Sequence, residues 1–321
     1  MNYASPTEAG RVVNRPARSK RFLRTLRGIL SDWQLYVLIA PAVVYIFLFN
    51  YMPMYGVQIA FRNFKPSKGI WGSPWVGLKY FEKFVKNPLF GRLIWNTMRI
   101  SLYSLATFPL PIILALMINE LDNQKFKKSV QMVTYAPHFL STVVVCSMIT
   151  LFCNKDSGLF NNIAAALGGE RTAFLEKANL FTPIYVWSGV WQGIGWSSIL
   201  YIAALSGVSP ELVEAARIDG ANRLQIVLHV NIPAIMPTIV ITLIMSCGGI
   251  LSVGFEKVYL LQNKLNLDAS NIIATYVYEL GLLNAQFSAS AAIGLFNTIV
   301  NVTLLLIVNA IARRVSEISL F

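Results

Sequence analysis

Glu214-Ala215-Ala216-Arg217-Ile218-Asp219-Gly220-Ala221, followed by Val230-Asn231-Ile232-Pro233, is a short polar insert between two long apolar segments. Ser209-Pro210 just before it reads as a helix start: a Ser oxygen accepts from a free backbone N–H, and Pro at the first helical position loses nothing by lacking one. The pattern predicts a helix from about Pro210 to Asp219, with Leu212, Val213, Ala215, Ala216 and Ile218 apolar and Glu211, Glu214, Arg217 and Asp219 charged. Gly220 supplies the left-handed residue that ends such a helix, and a second helix starts at Arg223 and runs to about Val230. Pro233 and Pro237 mark an expected bend into the next apolar segment. From these residues alone the insert is either an interfacial amphipathic hairpin without a partner or a docking element, whose small Ala215-Ala216 pair allows close approach.

Working outward, the chain reads as a membrane protein. Hydrophobic residues make up 55% and charged residues 13%, against about 25% charged in a soluble domain. Six tracts carry no Asp, Glu, Lys or Arg: between Asp32 and Arg62, Arg99 and Glu120, Lys128 and Lys155, Lys177 and Glu211, Arg223 and Glu256, and Glu279 and Arg313. Each holds the roughly 20 apolar residues a helix needs to cross a bilayer. The expected spans are about Trp33 to Tyr51, Trp95 to Ile118, Val130 to Phe152, Phe181 to Leu205, Ile232 to Val253 and Ala291 to Ile311. Pro109, Pro111 and Pro137 are expected to kink helices. The first apolar run is long enough to span and lacks a small-residue cleavage site, so it reads as a retained helix. Cys146, Cys153 and Cys247 have no metal-ligand spacing and read as packing residues.

The tail before the first span carries Arg11, Arg15, Arg18, Lys20, Arg21, Arg24 and Arg27 against Glu8 and Asp32, which places it in the cytoplasm by the positive-inside rule. Six spans then put the C-terminus, the Glu120–Lys128 loop and the 209–233 loop on the same side. The external segment from Met52 to Arg92 opposes this, with seven basic residues against Glu82 alone; its aromatic residues suit an interfacial element, and its charge suits an acidic protein or sugar. The organisation expected is a basic cytoplasmic tail (1–28), a first span with its external loop (29–92), a core of five spans (93–312) and a cytoplasmic end (313–321).

Enzymatic chemistry finds little support. His138 and His229 are the two histidines, neither in a metal or nucleophile–base arrangement, and no nucleotide-binding glycine motif is present. An ion-coupled secondary carrier of a polar solute is the alternative, but such carriers place ionisable groups at membrane depth, and the span centres here carry none. The polar groups left there are amides, hydroxyls and indoles. They suit a sugar, which offers hydroxyl arrays and flat C–H faces to aromatic rings. Trp187, Trp191, Gln192, Tyr201 and Asn297 are the candidate substrate path. Trp187 and Trp191 share a helix face, which Gly193 and Gly195 leave open to close approach; lipid-facing tryptophans are the competing reading.

The 214–233 stretch resembles the EAA loop of binding-protein-dependent ABC importer permeases. Together with Tyr51-Met-Pro-Met-Tyr-Gly56, Pro66-Ser-Lys-Gly-Ile-Trp-Gly-Ser-Pro-Trp75, Asn96-Thr97 and Gly158-Leu-Phe-Asn161, it makes the chain from about Trp33 onward similar to the carbohydrate-uptake permeases, in particular the LplB-type polysaccharide permeases. The resemblance implies an all-α integral membrane fold of the type I importer class, with six transmembrane helices and a cytoplasmic coupling helix. It implies that Glu214, Ala215, Ala216, Arg217, Asp219, Gly220 and Ala221 form the ATPase-coupling surface. It also implies a heterodimer with a second permease, an ATPase dimer that binds ATP and Mg in place of any cofactor on this chain, an external sugar-binding protein, an oligosaccharide substrate and no nucleic acid. The location implied is the bacterial cytoplasmic (inner) membrane.

Overall fold

The computed structural model describes residues 33–316; the basic tail 1–28 and the last residues, 317–321, lie outside them. The chain divides into two units, one up to Val57 and one from Gln58 onward. In the first, α1 (Trp33–Ile46) carries no charged residue and is apolar along most of its length. It passes into a π-turn, Phe47–Tyr51, just before Pro53. There the Met52 N–H reaches back five residues to the Phe47 carbonyl, a widening that makes room for the proline ring.

The second unit begins its spans with α2 (Phe90–Ala106) and α3 (Pro109–Asn119), which together form one 30-residue span. Pro109 restarts the helix at its first turn, where no donor is missed. Next come α4 (Gln124–Tyr135) and α5 (Thr142–Phe152), bent by 97° relative to each other. The expected straight span Val130–Phe152 is therefore broken. Pro137 tightens the chain into a short 3₁₀ turn, and Ser141 turns extended (ψ 152°) so that its hydroxyl can cap α5 by accepting from the Val144 N–H.

The longest central element is α6 (Ala178–Leu205), followed after a 77° bend by α7 (Pro210–Ile218). A short α8 (Arg223–Ile226) then runs through a π-turn, Val227–Asn231, into α9 (Ile232–Gly248). The bend expected at Pro233 is absent: the Ile232 N–H bonds to the Val227 carbonyl, and the π-turn accommodates the proline as it does at Pro53. After α9 come α10 (Phe255–Leu261), α11 (Ile273–Tyr278) and the last span α12 (Phe287–Ser316). Among the described residues, four helical stretches are long and apolar enough to cross a membrane, and the two bent pairs bring the number up to six. Among the described residues there is no strand beyond two isolated bridges.

Apolar burial gives little drive between helices already in lipid, so close backbone approach and polar links carry more of the packing. A Cβ at Gly195 would collide with the Thr134 carbonyl oxygen, which shows how closely α6 crosses α4. Asn96 donates to the Asp268 and Asn271 carbonyls at 3.0 Å each, and the Thr97 hydroxyl accepts from the Ile273 N–H at 3.1 Å. These bonds tie α2 to the chain around α11. Asn161, fully buried, fixes its loop by donating to the Asn154 and Thr172 carbonyls and accepting from the Thr172 N–H. One apolar cluster joins α3, α6 and α9 through Ile112, Ala115, Tyr201, Leu205 and Ile235. A second joins α2, α5, α6 and α10 through Ile100, Cys146, Phe181 and Val258.

Candidate functional site

Two features converge on α6: a cavity along its flank and an exposed short helix at its end. The cavity has a volume of about 750 Å³, within the roughly 300–1,000 Å³ of ligand pockets. α6 lines it with Tyr185, Gly189, Gln192, Gly193, Trp196 and Tyr201, which recur at helical spacing along one stripe. Ser101, Ser104 and Thr107 from the α2 side and Thr242, Ser246 and Ser252 from the α9 side add hydroxyls. Gly193 would have nothing within 4 Å of a Cβ, so the wall is open there. No Asp or Glu lines it, and one cation does, Lys257.

Of the sequence candidates, Gln192 and Tyr201 are in this wall. Gln192 donates to the Leu140 carbonyl at 2.9 Å, at the break between α4 and α5. The Tyr201 hydroxyl is 2.9 Å from the Thr242 hydroxyl, linking α6 to α9. Trp187 and Trp191 do share a face, but not this one. At about 100° per residue they sit about 200° round from Gly189 and Gly193, half-exposed outside the wall, with the Trp187 indole N–H donating to the Tyr103 hydroxyl at 3.0 Å. Asn297 also lies outside the wall, where it donates to the Leu251 carbonyl at 3.3 Å. With Asn301, which accepts from the Leu251 N–H and donates to Ser252, it holds the turn after α9 from behind.

Trp196 is the indole that reaches the cavity, stacked on His138 with ring centroids 4.4 Å apart and planes within 6°. Sequence reasoning passed over its place in the stripe Gly189, Gly193, Trp196, Ser197, Tyr201, because the Trp187–Trp191 pair is the more obvious signal. Lys257 was also missed. It follows Glu256 immediately, at the end of a charge-free tract, where it reads as an ordinary loop charge.

At the other end of α6, α7 is capped as its residues dictate. The Ser209 hydroxyl accepts from the Glu211 N–H, and Pro210 opens the helix. Gly220, at φ +82°, closes it. The Ala221 N–H bonds to the Ala216 carbonyl at 2.9 Å and the Gly220 N–H to the Arg217 carbonyl at 3.0 Å, the paired bonds of a left-handed C-terminal cap. Asn222 and Gln225 then cap α8 reciprocally, side chain to backbone, at 2.9 and 2.7 Å. Arg223 pairs with Asp122 at 3.0 Å, fastening this turn to the loop between α3 and α4.

No residue of α7 is buried, and Ile218 is 86% exposed. Glu214 and Arg217 are exposed and form no ion pair among the described residues. Ala216, Asp219, Gly220 and Ala221 line a groove of about 320 Å³ with Gln225, His229 and Val230. The seven residues of the expected coupling surface thus lie together on one cap and its helix, with Ala216, Asp219, Gly220 and Ala221 in the groove.

Residues 107–317 match the family described as binding-protein-dependent transport system inner membrane component. The polygalacturonan/rhamnogalacturonan transport system permease protein YteP of Bacillus subtilis is 42% identical over 92% of this chain and 92% of its own length. Protein LplB of the same organism is 42% identical over 92% and 93%. A crystal structure of a bacterial alginate ABC transporter in complex with an alginate pentasaccharide-bound periplasmic protein contains a chain that matches with a TM-score of 0.85 and 36% identity, over 92% of this chain and all of that one.

Proposed function

This chain belongs to the binding-protein-dependent transport system inner membrane components, the multi-pass membrane subunits of ABC importers, and from that premise we propose that it forms one half of the path for an oligosaccharide and couples it to a separate ATPase. The carrying observation is the continuity of α6: its flank lines a cavity of hydroxyls, amide and indole, and its end turns through 77° into the exposed α7. A ligand rich in hydroxyls matches that wall. An exposed amphipathic helix beside a groove matches a docking partner.

In this reading α7 seats in the ATPase, with Glu214 meeting a basic residue and Ala215, Ala216 and Ala221 allowing close approach. A second permease completes the cavity, an ATPase dimer holds ATP and Mg, and an external sugar-binding protein delivers the substrate. Closure of the ATPase dimer moves α7, and α6 carries the movement to the cavity wall as a rigid-body change of access. The basic tail, Arg313 and Arg314 face the cytoplasm, where the ATPase is. Names of relatives favour a polysaccharide fragment over a monosaccharide.

Co-expression with a partner permease, an ATPase and a sugar-binding protein, followed by reconstitution into vesicles, tests this directly. ATP-dependent oligosaccharide uptake is expected of the full set alone. Sugar uptake by this chain by itself without ATP would overturn the reading in favour of a carrier.

A further inference from the structure

Lys257 is the one cation in the cavity wall, it is 9% exposed, and it stands on α10, outside the candidate spans. Its ammonium donates to the Tyr185 carbonyl at 2.9 Å and lies 4.9 Å from the centre of the Tyr185 ring. An ammonium has three donors, so two remain. Among the described residues no carboxylate pairs with it: the ion pairs are Lys86–Glu82, Arg92–Asp268 and Arg223–Asp122, all on exposed side chains. A buried charge without a counter-ion is costly, and one kept at the wall of a polar cavity marks a ligand of opposite charge. α6 leaves the way open, because Gly189 has no side chain there; an added Cβ would sit 3.4 Å from the Lys257 Nζ.

Building on the importer reading above, we propose that Lys257 reads charge in the cavity, its ammonium pairing with the carboxylate of a uronate unit in the oligosaccharide. The rest of the wall is neutral and serves hydroxyls, so this residue separates acidic from neutral sugars of the same shape. The titratable groups around it are Tyr185 on α6, Cys146 on α5, whose thiol approaches the Lys257 carbonyl at 3.9 Å, and Glu256 on its own helix, which is exposed. Burial lowers the Lys257 pKa to about 8. The charged form therefore prevails below pH 8 and the neutral amine above it. Since a bound carboxylate favours the charged form, affinity for an acidic sugar falls as pH rises through this region, by at most tenfold per unit.

The test uses the full complex of both permeases, ATPase and binding protein in vesicles, with tetragalacturonate and its fully methyl-esterified form as probes. Uptake by Lys257→Gln is divided by wild-type uptake for each probe, so that the binding protein's own preference cancels. A charge-assisted contact predicts a loss of roughly 10- to 150-fold for the acid, with the ester within about twofold. Gly189→Ala, which leaves Lys257 in place behind a methyl group, should lower the acid ratio in the same direction. Raising the pH from 7 to 9 should lower acid uptake relative to ester uptake in wild type and not in Lys257→Gln. Equal loss of both probes means a structural lysine, and equal retention means an idle one; either overturns the assignment. A wild-type complex that carries the ester alone, or neither probe while it carries a neutral oligosaccharide with ATP, overturns it too but leaves the importer reading standing, whereas one that carries no oligosaccharide with ATP overturns both.

Discussion

Gly220 offers the sharpest test of α7 as a coupling element. Its φ of +82° lies in the left-handed region, yet a Cβ there would meet no atom within 4 Å. A substitution is therefore strained by the backbone alone, with no collision to confuse the result. Alanine in that conformation costs about 1–2 kcal/mol, and a β-branched residue on the order of 1–3 kcal/mol. If the chain escapes by abandoning the turn, it gives up the Ala221–Ala216 and Gly220–Arg217 bonds, at about 0.5–1.5 kcal/mol each. Both routes arrive at a similar figure. If only the capped form seats in the ATPase, Gly220→Val reduces the competent fraction, and so the apparent affinity, by about 5- to 150-fold. The assay is titration of purified ATPase onto the permease pair in nanodiscs, followed by sugar-stimulated ATP hydrolysis. Gly220→Asn, which tolerates the left-handed region, should stay near wild type, with Gly220→Ala between the two. Wild-type ATPase affinity in Gly220→Val, or a loss in Gly220→Asn as large as in Val, would refute the argument.

Other substitutions probe other parts of the molecule. Glu214→Ala, on the exposed face of α7, should abolish sugar-stimulated ATP hydrolysis while membrane insertion and thermal stability stay unchanged. Gly195→Ala should lower the melting temperature in detergent, since overpacking against the Thr134 carbonyl costs about 1–3 kcal/mol, while Gly193→Ala, with open space around it, should not. Tyr201→Phe removes the link to Thr242, worth about 0.5–1.5 kcal/mol, and should reduce uptake more than it reduces stability.

Sequence and structure agree best where local chemistry decides the outcome. Ser209, Pro210 and Gly220 carry their own instructions for starting and stopping a helix, and all three take the expected places around α7. The charge-free tracts likewise mark apolar helices, because a bilayer enforces that composition. Where partners far along the chain decide, the sequence is silent. Nothing local says that Pro233 is absorbed by a π-turn while Pro137, followed by a Ser able to cap, breaks its span by 97°. The cavity was half-legible for a similar reason. Periodicity put Trp187 and Trp191 on one face of α6, but which face meets α3 and α9 depends on tertiary packing. Lys257 reaches the wall only because α10 folds back against α6, a contact between residues 72 apart in sequence.

Because α6 runs unbroken for 28 residues, it is a rod about 42 Å long at 1.5 Å per residue. A rod of that length magnifies small rotations. Pivoting about its middle by about 5° shifts each tip by nearly 2 Å, enough to exchange a hydrogen bond for a gap at a sugar hydroxyl. If α7 is the docking element proposed above, the same geometry limits how soft the rod can be, for a flexible joint within α6 would dissipate a stroke before it reached a ligand. The break in direction is placed at its end, between Leu205 and Pro210. Under the proposed docking of α7, force delivered there would arrive with leverage rather than slack.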